Sequence, residues 1–197
     1  MINALVTGVG GGVGQGIIKS IQMIDDLDIR IIAADMSEKA AGLYAGNVSR
    51  LVEACTAPNY LNTLAKIFEN DSIDYYFPGT DVELEFCAKN KEHIQDRYGV
   101  KTVISSLETV LIADDKFKTY MFLKDNDFFF PETKWLTDFV PSEALNFPVI
   151  VKPAVGCRSI GVYKVLNNKE LDKHLMNSDG VVVQELVGND ESEYTCT

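Results

Sequence analysis

The sequence is poor in metal-binding and disulfide-forming residues. Its 197 residues hold two histidines and four cysteines, Cys55, Cys87, Cys157 and Cys196, with no C-x-x-C pair. That scatter argues against a zinc site and a disulfide framework, and a reducing cytosol suits it better. Positive charge is also scarce. A formal net charge of −11 excludes general binding to nucleic acid or an anionic membrane, both of which need a basic surface, yet leaves room for a local basic pocket. No apolar run reaches the ~18 residues of a membrane span. The opening MINALVTG lacks the charged segment and cleavage site of a signal peptide and reads as a first strand. What is present is ordinary: 46% hydrophobic and 24% charged residues, in a chain long enough for one large or two small domains.

The first half alternates strands and helices. Residues 2–7 form an apolar strand, followed by the glycine run Gly8 to Gly14 and a helix over Gln15–Met23 with Ile17, Ile18 and Ile21 on one face. A second strand, Ile29–Ala34, ends in Asp35. Val48–Val52 reads as a strand, Asn59–Phe68 as a helix, Asp74–Phe77 as a strand broken by Pro78-Gly79, and Val100–Ile104 as the last strand. This order predicts a parallel sheet covered by helices on both faces. The spacing Gly8-x-x-Gly11-x-x-Gly14 with Asp35 downstream fits the NAD fingerprint of short-chain dehydrogenases, and equally a tight strand–helix turn that binds no dinucleotide. Thr80, Asp81 and Glu83 cluster at a strand's C-terminal end, as helix caps or as substrate contacts.

The second half centres on FPVIVKPAVGCRSIGVYKV and VVVQELVG. A helix runs from about Asp115 to Lys124, with Asp114 as candidate N-cap. Tyr120 and Lys124 repeat the Tyr-x-x-x-Lys spacing of short-chain dehydrogenases, a rival built on the same logic as the glycine run. Phe128, Phe129 and Phe130 read as core or interface packing, and Thr133–Leu136 as a strand. Pro141–Phe147 is a short helix or turn. The strand Val149–Val151 ends in Lys152-Pro153, where a point charge can meet phosphate oxygens. The loop that follows holds Gly156, Ser159 and Gly161, whose backbone N–H groups can nest an anion. Asn168–Met176 is a helix. The strand Val181–Gln184 then runs into Glu185-Leu186-Val187, where free backbone groups beside apolar side chains suit an adenine edge.

Taken in order, Asp115-Lys116, Phe130-Pro131-Glu132-Thr133, Val151-Lys152-Pro153, the glycine loop, Gln184-Glu185 and Glu193-Tyr194-Thr195 make the chain resemble the ATP-grasp superfamily, in particular members similar to the large subunit of carbamoyl phosphate synthetase. The resemblance implies an α/β fold: a Rossmann-like parallel-sheet domain over residues 1–110, then a partial ATP-grasp domain over 111–197 holding the small nucleotide-clamping subdomain. It also accounts for the N-terminal glycines without NAD. By the same resemblance Lys116 reaches the α-phosphate, Lys152 holds the α/β-phosphates, and Gly156 to Gly161 folds over the β/γ-phosphates with Ser159 as a donor and Arg158 as an added cation. Gln184, Glu185 and Val187 line adenine, and Glu193 accepts from the ribose. Thr80, Asp81 and Glu83 lie toward the acyl-acceptor side. The implied chemistry is attack of a carboxylate on the γ-phosphate of ATP, with Mg²⁺ held by ligands expected beyond residue 197. The chain is therefore expected to be incomplete and inactive alone, with self-association through uncovered strand edges. A non-catalytic nucleotide-binding module is the alternative from another class.

Overall fold

A computed structural model of the protein describes residues 1–140, 145–156, 159–175 and 178–188. The chain divides into two compact units, Met1–Val110 and Leu111–Thr197.

The first unit is a five-stranded parallel sheet. Its strands are β1 (Ile2–Val6), β2 (Ile29–Asp35), β3 (Val48–Leu51), β4 (Tyr75–Phe77) and β5 (Lys101–Thr102), in the order β3-β2-β1-β4-β5. Alternation along β1 sends Ala4 and Val6 to one face and Leu5 to the other. Ala4 and Val6 pack with Ile18 and Ile21 of helix α1 (Gly12–Gln22) and with Ile31, Ala33 and Leu43. Leu5 joins Ile32, Tyr76, Leu64 of α2 (Tyr60–Asp71) and Cys87 and Ile94 of α3 (Asp81–Tyr98). Both faces are thus covered, as the strand–helix alternation predicts.

Some boundaries differ from expectation. Helix α1 begins at Gly12 rather than Gln15, because residues just past the turn adopt helical geometry despite being glycine. Strand β5 keeps only Lys101–Thr102 of the expected Val100–Ile104, since its partner β4 offers a ladder of just three residues. Helix α3 stops at Gly99, whose φ of +71° suits the left-handed residue that ends many helices.

Helix α4 (Leu107–Asp114) precedes α5 (Lys116–Asp125). The cap of α5 is Asp115, not Asp114: its Oδ1 accepts from the N–H groups of Phe117 at 2.9 Å and Lys118 at 3.2 Å, while Asp114 is spent as the last residue of α4. The second unit then forms an antiparallel sheet of β6 (Thr133–Trp135), β7 (Val149–Pro153), β8 (Tyr163–Val165) and β9 (Val181–Glu185), in the order β6-β9-β7-β8. Val149, Val151, Val165 and Val183 face one core with Leu136, Leu145 and Leu171. The expected helix Asn168–Met176 is only α6, Asn168–Leu171, before the chain turns; Met176 and residues 141–144 lie outside the described residues. Of the three phenylalanines, Phe130 packs edge-on against Tyr120, whereas Phe128 and Phe129 are exposed, which corrects the packing expected of them. Among the described residues no helix is long and apolar enough to cross a membrane.

Candidate functional site

The antiparallel sheet determines which side chains can meet. Residues opposite one another on neighbouring antiparallel strands share a face. Ile150 pairs with Gln184 and Gln184 with Thr133, so Lys152, two residues along β7 from Ile150, lies on the face that also carries Gln184 and Thr133. Val149, Val151 and Val183 take the other face into the core and hold the strands in register.

On that polar face, Lys152 Nζ donates to Gln184 Oε1 at 2.6 Å, and Gln184 Nε2 donates to Thr133 Oγ1 at 2.8 Å. Lys116, the first residue of α5, approaches from the side. Its ammonium donates to the carbonyl oxygens of Ala154 at 3.2 Å and Gly156 at 3.0 Å, and its backbone N–H to Ala154 O at 2.8 Å. A bridge between Asp115 and Val155 fixes the same junction. Partial burial holds the Lys152 pKa below the ordinary lysine value, and the nearby Lys116 charge pushes it the same way. Among the described residues, neither ammonium is paired with a carboxylate. Two cations that repel one another and are held by neutral oxygens make a site in want of an anion.

The loop beside them keeps its backbone open. Gly161 has φ +75°, Ser159 has φ +56°, and Ser159 and Ile160 are exposed. A Cβ on Gly161 would press on the Pro153 ring at 3.1 Å, so glycine is required there for both its φ and its size. Arg158 and Cys157 lie outside the described residues, as does Glu193. At the end of β9, Glu185 exchanges bonds with Glu132: Glu185 N–H donates to Glu132 O at 2.8 Å, and Glu132 N–H to Glu185 Oε2 at 3.1 Å. Past Glu185 the chain leaves the ladder, with Val187 exposed. Gln184, expected to line adenine, has its side-chain amide committed instead to Lys152 and Thr133.

The other candidates make contacts of their own. Glu83 is buried, with Oε2 accepting from Thr7 Oγ1 at 2.7 Å and Oε1 from Tyr60 OH at 2.5 Å. Both oxygens are occupied by bonds within the fold. Burial pushes the Tyr60 and Tyr76 hydroxyls up and the Cys87 thiol up to about 12, so these three groups keep their protons and the thiol is packing rather than a nucleophile. Thr80 stands at the N-cap of α3 without a side-chain cap bond, and its methyl fills the space a side chain on Gly8 would need. Asp81 is exposed in the first turn of α3. Asp35 is also engaged: Oδ2 accepts from Gly10 N–H at 2.7 Å and Oδ1 from Ser37 N–H at 2.9 Å. Tyr120 and Lys124 do meet, Nζ donating to the phenol at 3.0 Å, but Tyr120 is buried and its hydroxyl donates onward to Glu132 Oε1 at 3.0 Å. These bonds leave the dehydrogenase alternative without a free ribose acid or an open tyrosine.

Sequence reasoning placed Thr133 in the Phe130–Thr133 step and at the start of a strand but missed its bond to Gln184, which arises only from cross-strand register. It also missed the buried carboxylate of Asp71, gripped by Arg50 at 2.7 and 2.8 Å and by Arg30 at 3.4 Å.

Comparison with known proteins gives the family and the fold. Residues 6–112 match the family described as PylC-like, N-terminal domain, and residues 113–194 match the family described as ATP-grasp domain. The chain belongs to the PylC-like family by its N-terminal domain, and that domain is followed by an ATP-grasp domain. Its fold is similar to that of an L-amino acid ligase from Bacillus licheniformis, at TM-score 0.69 and 16% identity over 95% of this chain and 44% of that one. It is similar also to N5-carboxyaminoimidazole synthetase from Staphylococcus aureus complexed with ADP, at TM-score 0.68 and 18% identity over 95% of this chain and 48% of that one. A biotin carboxylase–β-γ-ATP complex from Campylobacter jejuni gives TM-score 0.64 and 20% identity over 96% and 46%. The chain thus spans 44–48% of the length of these structures. No curated protein matches the sequence significantly.

Proposed function

We propose that the chain is the adenine-nucleotide-holding part of an ATP-dependent carboxylate–amine ligase, of the kind that carbamoyl phosphate synthetase represents. The observation that carries this reading is the pair of ammonium groups, Lys116 and Lys152, held by neutral acceptors beside an open glycine loop. A triphosphate fits that donor set: it supplies the negative charge that the described surroundings of the two lysines do not. In this reading residues 1–110 are the pre-ATP-grasp domain and residues 111–197 belong to the nucleotide clamp.

ATP, when bound, supplies the phosphoryl group that activates a substrate carboxylate. The chain's own residues position it. Lys152 and Lys116 neutralise phosphate oxygens from a site that is partly shielded from water, where each charge counts for more than at the surface. Gly156, Ser159 and Gly161, with Arg158, offer donors over the terminal phosphates. Glu185 and Val187 edge the adenine, and Glu193 takes the ribose. Thr80 and Asp81, with Glu83, are the candidate substrate contacts in this reading. Among the described residues no cluster of His, Cys, Asp and Glu stands ready for a metal, so no step is assigned to the Mg²⁺ that such reactions use. The partners in this reading are an adenine nucleotide and a carboxylate substrate; a cytosolic setting and possible homo-oligomers complete it.

Calorimetry tests it. The purified chain is titrated with Mg·ADP, Mg·ATP and NADH, beside Lys152→Ala. Adenine-nucleotide binding that the substitution abolishes supports the reading. NADH binding that survives it moves the site to Gly8–Gly14. Because the chain covers 44–48% of the structures above, phosphoryl transfer by these 197 residues alone is not expected, and robust Mg-dependent ADP formation by them overturns that point.

A further inference from the structure

We infer that Thr133 is a positioning residue for the Lys152 ammonium, acting across two strand boundaries through the Gln184 amide. The inference rests on the nucleotide reading for its consequence but not for its geometry. Thr133 Oγ1 donates its single proton to the carbonyl of Pro131 at 2.9 Å. A carbonyl can only accept, so that proton is committed and the threonine oxygen has only acceptor capacity left. Gln184 must therefore turn its NH2 toward Thr133, at 2.8 Å, and its oxygen toward Lys152, at 2.6 Å. An ammonium has only donors, so this is the one amide orientation it can use. Thr133 is 2% exposed, which leaves no bulk water to take over its part. The backbone carbonyl at Pro131 thereby dictates the polarity of a relay running from β6 through β9 to β7.

The relay matters because Lys152 has no carboxylate to stabilise its charge among the described residues. Among the described residues, Lys116 from α5 stands beside that face and register places Lys164 on it opposite Ile150, while Glu185 falls on the other face. Burial, and after it the Lys116 charge, disfavour the charged form of Lys152. Gln184 Oε1 is thus the group that keeps the ammonium charged and aimed. Without the hydroxyl of Thr133 the amide is free to rotate and present a donor to a donor.

The test compares Thr133→Val with Thr133→Ser in the full chain. Lys152 is followed by the ¹³Cε resonance of labelled lysine across pH, assigned by its absence in Lys152→Arg. Valine should lower the titration midpoint of Lys152 by about one pH unit, the scale of one hydrogen bond to a charged group, and serine should restore it. Mg·ADP affinity should fall about tenfold with valine and recover with serine. An unchanged Lys152 midpoint in Thr133→Val overturns the relay. If Thr133→Val does not fold, Gln184→Leu breaks the same link, and an unchanged midpoint there overturns the relay equally. Absence of Mg·ADP binding in the unaltered chain defeats the nucleotide reading while the lysine titration still decides the relay.

Discussion

Each unit of this protein has a glycine-rich turn after a strand, and the two use glycine for opposite purposes. In the Gly8–Gly14 turn, Gly14 allows backbone to touch backbone. A Cβ on Gly14 would lie 2.6 Å from Gly8 O, and one on Gly79, in the neighbouring turn, 2.2 Å from Thr7 O. The acid expected to meet a ribose, Asp35, ties down the Gly10 N–H instead. At Gly156 and Gly161 an added Cβ would meet, among the described residues, the Pro153 ring at 3.6 and 3.1 Å and no backbone, and Lys116 and Lys152 flank the loop base. Glycine spacing alone therefore does not mark a phosphate site. What separates a packed turn from an anion cradle is whether the N–H groups are already taken and whether a cation without an acidic partner stands nearby.

That contrast can be broken most sharply at Gly79. Gly79→Ala should destabilise the first unit by about 3 kcal/mol or more, because the obstructing atoms are backbone and cannot move aside; a thermal melt within a degree of the unaltered protein would refute the packing account. Next in size, Lys152→Ala should weaken Mg·ADP binding by at least about tenfold, the loss of one charge-assisted contact. Its melting temperature should hold, since the removed ammonium is a half-buried charge with no carboxylate partner among the described residues. Loss of binding accompanied by unfolding would instead give Lys152 a structural role. Asp35→Asn should cost about 1 kcal/mol through the weaker bond to Gly10 N–H and leave nucleotide affinity unchanged, as chemical denaturation and calorimetry would show. A fall in affinity would return the N-terminal turn to the binding site. Smallest of all, Gly12→Ala meets nothing within 4 Å and should raise stability by about 0.5 kcal/mol through the unfolded chain.

The site also has a pH signature. The Lys152 ammonium is favoured less than a free lysine's, so it is lost at a lower pH on the way up. Nucleotide affinity should be full below that midpoint and decline as pH rises through it, before the ordinary lysine range is reached. Affinity that stays level across the alkaline limb would show that Lys152 does not carry the phosphates.

Much of the fold was legible because its causes are local. The apolar runs of β1 and β2, the Ile17/Ile18/Ile21 face of α1, and the strand–helix rhythm up to β5 each follow from a few neighbouring residues and their burial. The motifs of the second unit were legible in the same way, as a lysine at a strand end and a glycine loop after it. The misplaced ends were those set by a partner: β5 shortened by β4, the α5 cap passed from Asp114 to Asp115 by the end of α4.

The sequence by itself determined the class of fold, the order of strands and helices, and the residue types able to hold a polyanion. Only the tertiary structure decided that Glu83 and Asp35 are occupied and that the Gln184 amide bridges Thr133 and Lys152. Apart from the short bond of Ser37 to Asp35, those contacts join residues 23 to 76 positions apart. Separations of that length are set by sheet register and helix packing, which no short stretch of chain encodes, because one residue of slip would send every side chain of a strand to the opposite face.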